Sequence, residues 1–162
     1  MKQNSDQIGK HWPVFRTSRQ VQPGAIWRAS FFGAAGSFFI PLLIGVLLSA
    51  LAIPFETAPP SGFSEMISVL GFFLAMSPIF SLVAIVPALF LAVAALKVGF
   101  AGWGVATGAG AVVAIAIFTF VISIQGNPVI FGGISGALFG ALFWLCARLS
   151  TPQAFVRPSD EA

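Results

Sequence analysis

Uncharged residues run in three long stretches, 29–55, 66–96 and 98–147, and these set the architecture. The last is 50 residues long, well beyond the ~20 that one helical crossing of a bilayer needs. It must turn back on itself, and Gln125-Gly126-Asn127-Pro128 is the place where it can. Gly and Asn accept turn dihedrals, and Pro suits the first position of a following helix. Four transmembrane helices are therefore predicted, at 30–53, 66–96, 101–124 and 129–147. Barrel strands would alternate lipid-facing and lumen-facing residues, whereas these runs are apolar throughout. The expected fold class is an all-α integral membrane protein.

The second run is too long for its task. At 1.5 Å per residue it would reach about 46 Å, against a hydrocarbon core of ~30 Å. Pro78 and Pro87 lie inside it, each removing a backbone donor and freeing a carbonyl four residues earlier, at Leu74 and Val83. The second helix is thus expected to be long and proline-kinked, with a break or bend near Ser77-Pro78. Residues 66–76 would lie partly in the outer interface and 79–96 would make most of the crossing; one steeply tilted helix is the alternative. Pro41 should bend the first helix, freeing the carbonyl of Ser37. Such prolines read first as bends and only second as gating hinges.

Composition sharpens the picture. Only 8% of the 162 residues are charged and 57% are hydrophobic, with 18 Phe and no Tyr. An ordinary soluble domain has about 25% charged residues, and a disordered chain is poor in apolar ones, so both classes are excluded. Lys2, Lys10, Arg16, Arg19 and Arg28 precede the first span, Lys97 separates the second and third, and Arg148 and Arg157 follow the fourth. With both termini cytoplasmic, all eight basic residues fall inside and only Glu56 and Glu65 outside, which is a strong positive-inside pattern. Trp12, Trp27, Trp103 and Trp144 fall on the same inner side, where indoles favour the interface. The expected organisation is a basic cytoplasmic tail over 1–28, a four-helix domain over 29–147 and a short disordered cytoplasmic tail over 148–162. The location expected is a plasma or inner membrane. The apolar run begins too late and runs too long for a cleaved signal peptide, so the first helix is expected to be retained.

Candidate chemistry is sparse. The predicted spans hold no Asp, Glu, Lys, Arg or His at bilayer depth, and proton- or ion-coupled carriers depend on such a group. Ser37, Ser49, Ser68, Ser77, Ser81, Ser123 and Ser135 offer hydroxyls with no buried His or Lys to activate them. Their expected role is hydrogen bonding within or between helices. A single His11 leaves no metal cluster to assemble, and a single Cys146 leaves no internal disulfide. No catalytic residue, cofactor or metal ligand is therefore expected. Basic residues few in number and split between the two ends argue against nucleic acid. Gly102-Trp103-Gly104 lacks the strand–helix setting of a phosphate loop.

The clearest positive pattern lies in the second half. Gly132, Gly136 and Gly140 repeat every four residues, with Gly133, Ala137 and Ala141 alongside. Phe131, Ile134, Leu138, Leu142 and Leu145 gather on the other side of that helix. The third helix offers a stripe of Gly104, Thr107, Gly108, Ala111 and Ala114. Small faces let helices approach where no hydrophobic force drives them together, so these two stripes are expected to face each other. The antiparallel arrangement would set Gly108 against Gly136 or Gly140.

Lys10, Arg16, Arg19 and Arg28, interleaved with Trp12, Phe15 and Trp27, suit contact with anionic lipid. Pro13 and Pro23-Gly24 argue against one long amphipathic helix there. The prolines crowd the first half and the glycines the second, which weakens an inverted-repeat reading. Glycine rows and charge pattern are too generic to point to a family. The expected function is that of a non-catalytic structural or accessory subunit, with a protein partner or second copy as its company. The alternative is a passive channel or uncoupled facilitator for a small neutral solute, which would require the Ser and Thr hydroxyls to converge on a pore.

Overall fold

The structure, a computed structural model, describes residues 13–17, 22–52, 62–122 and 128–155. Every regular element among them is helical: α1 (Pro23–Ala52), α2 (Gly62–Ala75), α3 (Ser77–Val98), α4 (Trp103–Ile117) and α5 (Pro128–Ser150). A π-type turn, Phe118–Ile122, prolongs α4, and a 3-10 turn, Pro152–Phe155, follows α5. Four stretches are long and apolar enough to cross a membrane: Pro23–Leu51, Ser81–Val98, Trp103–Phe120 and Val129–Ser150.

Two boundaries differ from the sequence expectation, and the long second run is divided. The first helix starts at Pro23, before the charge of Arg28, with the Gln22 carbonyl accepting from the amides of Ala25 (2.9 Å) and Ile26 (3.2 Å). Proline is preorganised for a first turn, and an exposed arginine near a helix end reaches toward water, so a charge there does not stop the helix. The stretch 66–96, expected as a long second run with a break or bend near Ser77-Pro78, is divided by a turn residue, Met76, into α2 and α3. The 14 residues of α2 reach only about 21 Å, short of a full crossing. The tail expected to be disordered from 148 instead continues α5 to Ser150 and then folds the 3-10 turn, because Ala154 and Phe155 are buried. The turn at Gln125–Asn127 lies outside the described residues.

The chain divides into two compact units, Met1–Gly36 with Ala84–Ala162, and Ser37–Val83. In the second of these, the later part of α1 meets α2 through two glycines. A Cβ on Gly45 would strike the backbone of Leu74 and Ala75, and one on Gly71 would lie 2.9 Å from the Ser49 nitrogen and hydroxyl. Position rises on one helix as it falls on the other, so the pair runs antiparallel. Gly45 has Ser49 and Gly71 has Ala75 four residues on, so the signal in each helix is a single small-xxx-small pair, weaker than the row of three glycines in α5.

In the larger unit the dominant contact is α4 against α5. Gly136 lies over Gly110 and Ala114, Gly140 over Ala106, and Gly132 over Ile115 and Phe118. These pairings also run in opposite directions, as a hairpin requires. A Cβ on Gly110 would meet the Gly136 carbonyl oxygen and come within 3.0 Å of the Gly140 Cα. The α5 stripe therefore lies in the interface, and the α4 stripe read from the sequence enters it only in part, through Ala114 and the Thr107 backbone. The α4 row in contact is Ala106, Gly110, Ala114 and Phe118. Gly108 faces open space, and a Cβ on Gly104 would lie nearest Val14, 3.1 Å from its carbonyl oxygen, rather than against α5. Ala111 is only partly buried. Residues two positions apart on a helix differ by about 200° in direction, so Gly108 and Gly110 point nearly opposite ways. Small residues occupy both directions of α4, and a wheel alone cannot choose between them.

Bulky side chains lie outward. Val112 is 68% and Leu138 66% exposed, while Ile134 and Phe131 are exposed and Leu142 and Leu145 half-buried. Near the 123–127 connection, Phe118 and Phe131 meet edge to face at 5.4 Å. Hydroxyls mostly bond locally: Ser135 Oγ donates to the Phe131 carbonyl (2.7 Å) and Thr107 Oγ1 to that of Trp103 (2.7 Å). Gly33 brings α1 to the same unit, where its Cβ would sit 2.9 Å from the Phe143 ring.

These contacts predict an asymmetric mutational response. Gly110→Ala and Gly136→Ala should each lower stability by about 1–3 kcal/mol, the usual cost of overpacking, because backbone rather than a mobile side chain lies in the way. Gly108→Ala and Leu138→Ala should change it little. Thermal unfolding in detergent measures this; equal losses at Gly108 and Gly110 would refute the register.

Candidate functional site

The most organised part of the molecule is the α3–α4 connection and the groups that gather on it. At the end of α3, Gly99 takes a left-handed conformation with φ 78°. The Gly99 amide donates to the Leu96 carbonyl (3.3 Å) and the Phe100 amide to that of Ala95 (2.8 Å). This pair of bonds is a Schellman closure, in which glycine is favoured because a Cβ would crowd the backbone at positive φ.

The start of α4 has the opposite need. Its first amides have no partner within the helix, and Gly102, preceding it, carries no side chain that can accept from them. The chain satisfies them with a distant segment. Residues 13–17 lie across the turn as a strap, which accepts from the Trp103 amide at Pro13 (3.0 Å), the Gly104 amide at Val14 (2.9 Å) and the Gly102 amide at Phe15 (3.1 Å). The Thr17 amide donates to the Gly99 carbonyl (2.8 Å), and Thr17 Oγ1 accepts from Ala101 (3.3 Å). Pro13 and Thr17 are buried, while Val14, Phe15 and Arg16 are exposed. A Cβ on Gly102 would strike the Val14 carbonyl, so the absence of a side chain there is what admits the strap.

On the other side of the turn, Trp144 Nε1 donates to the Ala101 carbonyl (2.8 Å). Trp144 belongs to a buried cluster with Ile26, Ala29, Leu96, Ala101, Ala147, Ala154 and Phe155. Its ring meets Phe155 at 5.8 Å, edge to face, and carries the Arg148 guanidinium 5.4 Å from its centroid. The four tryptophans therefore do not form a uniform interfacial set. Trp27 and Trp103 are exposed, Trp144 is a core residue with its N–H satisfied, and Trp12 lies outside the described residues.

Of the residues expected to meet anionic lipid, Arg16 and Arg28 are exposed, whereas Lys10 and Arg19 lie outside the described residues. Arg16 stacks on the exposed Phe100 at 5.5 Å. The described basic residues, Arg16, Arg28, Lys97 and Arg148, all belong to the larger unit, and the one described acidic residue, Glu65, belongs to the other. Cys146 is partly buried with a free thiol. Among the described residues no group of His, Cys, Asp and Glu is placed to hold a metal ion. The hydroxyls of Ser30 and Ser77 are buried with no hydrogen-bond partner, one in each unit. What the assembled groups offer is cation and aromatic surface over a sealed turn.

The strap contacts predict slow exchange of the Gly102, Trp103 and Gly104 amides in hydrogen–deuterium measurements. Gly102→Ala should expel residues 13–17 and speed exchange at all three by at least tenfold, the change that losing ~1.4 kcal/mol of local protection brings. Trp144→Phe removes one hydrogen bond from the same turn and should lower stability by about 1 kcal/mol. Unchanged exchange in Gly102→Ala would show that the strap does not cap α4.

No protein-family model matches the chain, and neither a curated protein nor a solved structure matches it at a significant level.

Proposed function

We propose that the protein is a four-span membrane protein acting as a non-catalytic structural or accessory subunit, with both termini on the cytoplasmic side of a plasma or inner membrane. The observation that carries this reading is the contact of Gly110 with Gly136, where two helix backbones touch. A contact of that kind leaves no path for a solute between α4 and α5. Packing of small residues inward leaves many Phe, Leu and Val side chains outward on the spans, as a lipid-facing or partner-facing exterior requires. Eight basic residues on one side support the orientation. Pro41, Pro78 and Pro87 act in this reading as bends that fit the helices to the bilayer, not as gates. Anionic lipid meets the N-terminal region through Arg16 and Arg28, joined by Lys10 and Arg19.

A passive channel or uncoupled facilitator for a small neutral solute is the second reading. It requires hydroxyls that converge on a polar-lined path.

Reporter fusions at both ends and within 55–65 should place the ends inside and the loop outside; an outside N-terminus would overturn the topology. Affinity purification of the full chain in mild detergent should bring a stoichiometric membrane partner or a second copy with it. Liposomes containing the protein should show no uptake driven by a pH gradient, because the spans lack a group that binds and releases a proton at mid-membrane depth. Solute flux through a purified, partner-free chain would favour the facilitator instead.

A further inference from the structure

We infer that Arg16 and Lys97 together form a binding surface for the headgroup of an anionic phospholipid, assembled by the strap across the α3–α4 turn. The inference rests on the membrane-embedded reading above and deepens it. In the sequence these residues are 81 positions apart. The bond from the Thr17 amide to the Gly99 carbonyl (2.8 Å) brings Arg16 to the turn that Lys97 enters from α3. Both side chains are exposed.

Three features suit this surface to a lipid headgroup. The Arg16 guanidinium is steadied by the Phe100 ring at 5.5 Å. A guanidinium held over an aromatic face by its charge keeps N–H groups that can meet phosphate oxygens. The described charged residues of this unit, Arg16, Arg28, Lys97 and Arg148, are all basic, which complements an anionic headgroup. The flanks are apolar and aromatic: Phe15 (61%), Val98 (52%), Phe100 (40%) and Trp103 (41%) are all exposed. A soluble anion has no use for such flanks, whereas a phospholipid sets its acyl chains against them. The surface also lies at the ends of two apolar spans, where headgroups are found.

The experiment is native mass spectrometry of the full-length protein in mild detergent, with phosphatidylglycerol and phosphatidylcholine of matched chains. The wild type should retain phosphatidylglycerol preferentially, and the preference should fall as salt rises. Arg16→Gln and Lys97→Gln should each weaken retention about fivefold, the factor that ~1 kcal/mol per basic residue gives. The doubly conservative Arg16→Lys, Lys97→Arg chain should keep the preference. Glycerol 3-phosphate should not displace the lipid. Equal retention of the two lipids by wild type, a preference insensitive to salt, or an undiminished preference in the doubly neutralised chain would each overturn the inference. Displacement by glycerol 3-phosphate would overturn it too, in favour of a soluble phosphate ligand. Wild type alone decides the first two outcomes, so a variant that fails to fold does not remove the test. Failure here leaves the accessory role standing, and a missing protein partner leaves the lipid measurement standing.

Discussion

An amide left unpaired away from water costs several kcal/mol, and the first amides of a helix have no partner within it. The α3–α4 turn meets the requirement at both ends. Gly99 closes α3 by turning its last carbonyls onto the amides of Gly99 and Phe100. The first amides of α4 find no side chain at Gly102 and are capped by the carbonyls of Pro13, Val14 and Phe15. Much else follows from that borrowed cap. Thr17 and Trp144 bind Ala101 from its two backbone groups, and Phe155 packs on Trp144. Segments near both chain ends are thereby fastened to one turn.

The spans obey a different rule from a soluble core. In water, large apolar side chains are driven inside; in lipid they gain nothing by leaving the hydrocarbon, and close backbone approach decides the packing. Phe90 and Phe120 are 75% and 83% exposed, while Gly110, Gly136 and Ala114 meet in the α4–α5 contact. Gly45 and Gly71 repeat the device between α1 and α2. This inside-out arrangement is what makes the chain suited to an apolar surrounding and ill suited to water, where so broad an apolar exterior would associate.

The two kinds of packing divide the molecule by chemistry. The apolar spans carry local Ser and Thr bonds and few polar demands. The turn region carries the indole bond, the strap and the described cations of Arg16, Lys97 and Arg148. Charged side chains therefore gather at this turn, where the helix spans themselves offer only hydrocarbon.

Helical class, the number of apolar spans and the involvement of Gly132, Gly136 and Gly140 in close packing were all legible in the sequence. Long uncharged runs admit no other backbone arrangement in lipid, and a glycine row on one helix has few uses there. The sequence could not say which side of α4 receives that row, because Gly104 and Gly108 look as suitable as Ala106 and Gly110. That choice depends on how two backbones slide and rotate into contact, which is a property of the pair and not of either helix. Nor could it show that Trp144 is buried, that residues 152–155 fold back, or that Pro13–Thr17 cap a helix beginning at Trp103. Each of these depends on backbone groups, and every residue carries the same amide and carbonyl. Hydropathy therefore marks where helices lie, while only the tertiary structure decides which distant carbonyl meets which unpaired amide.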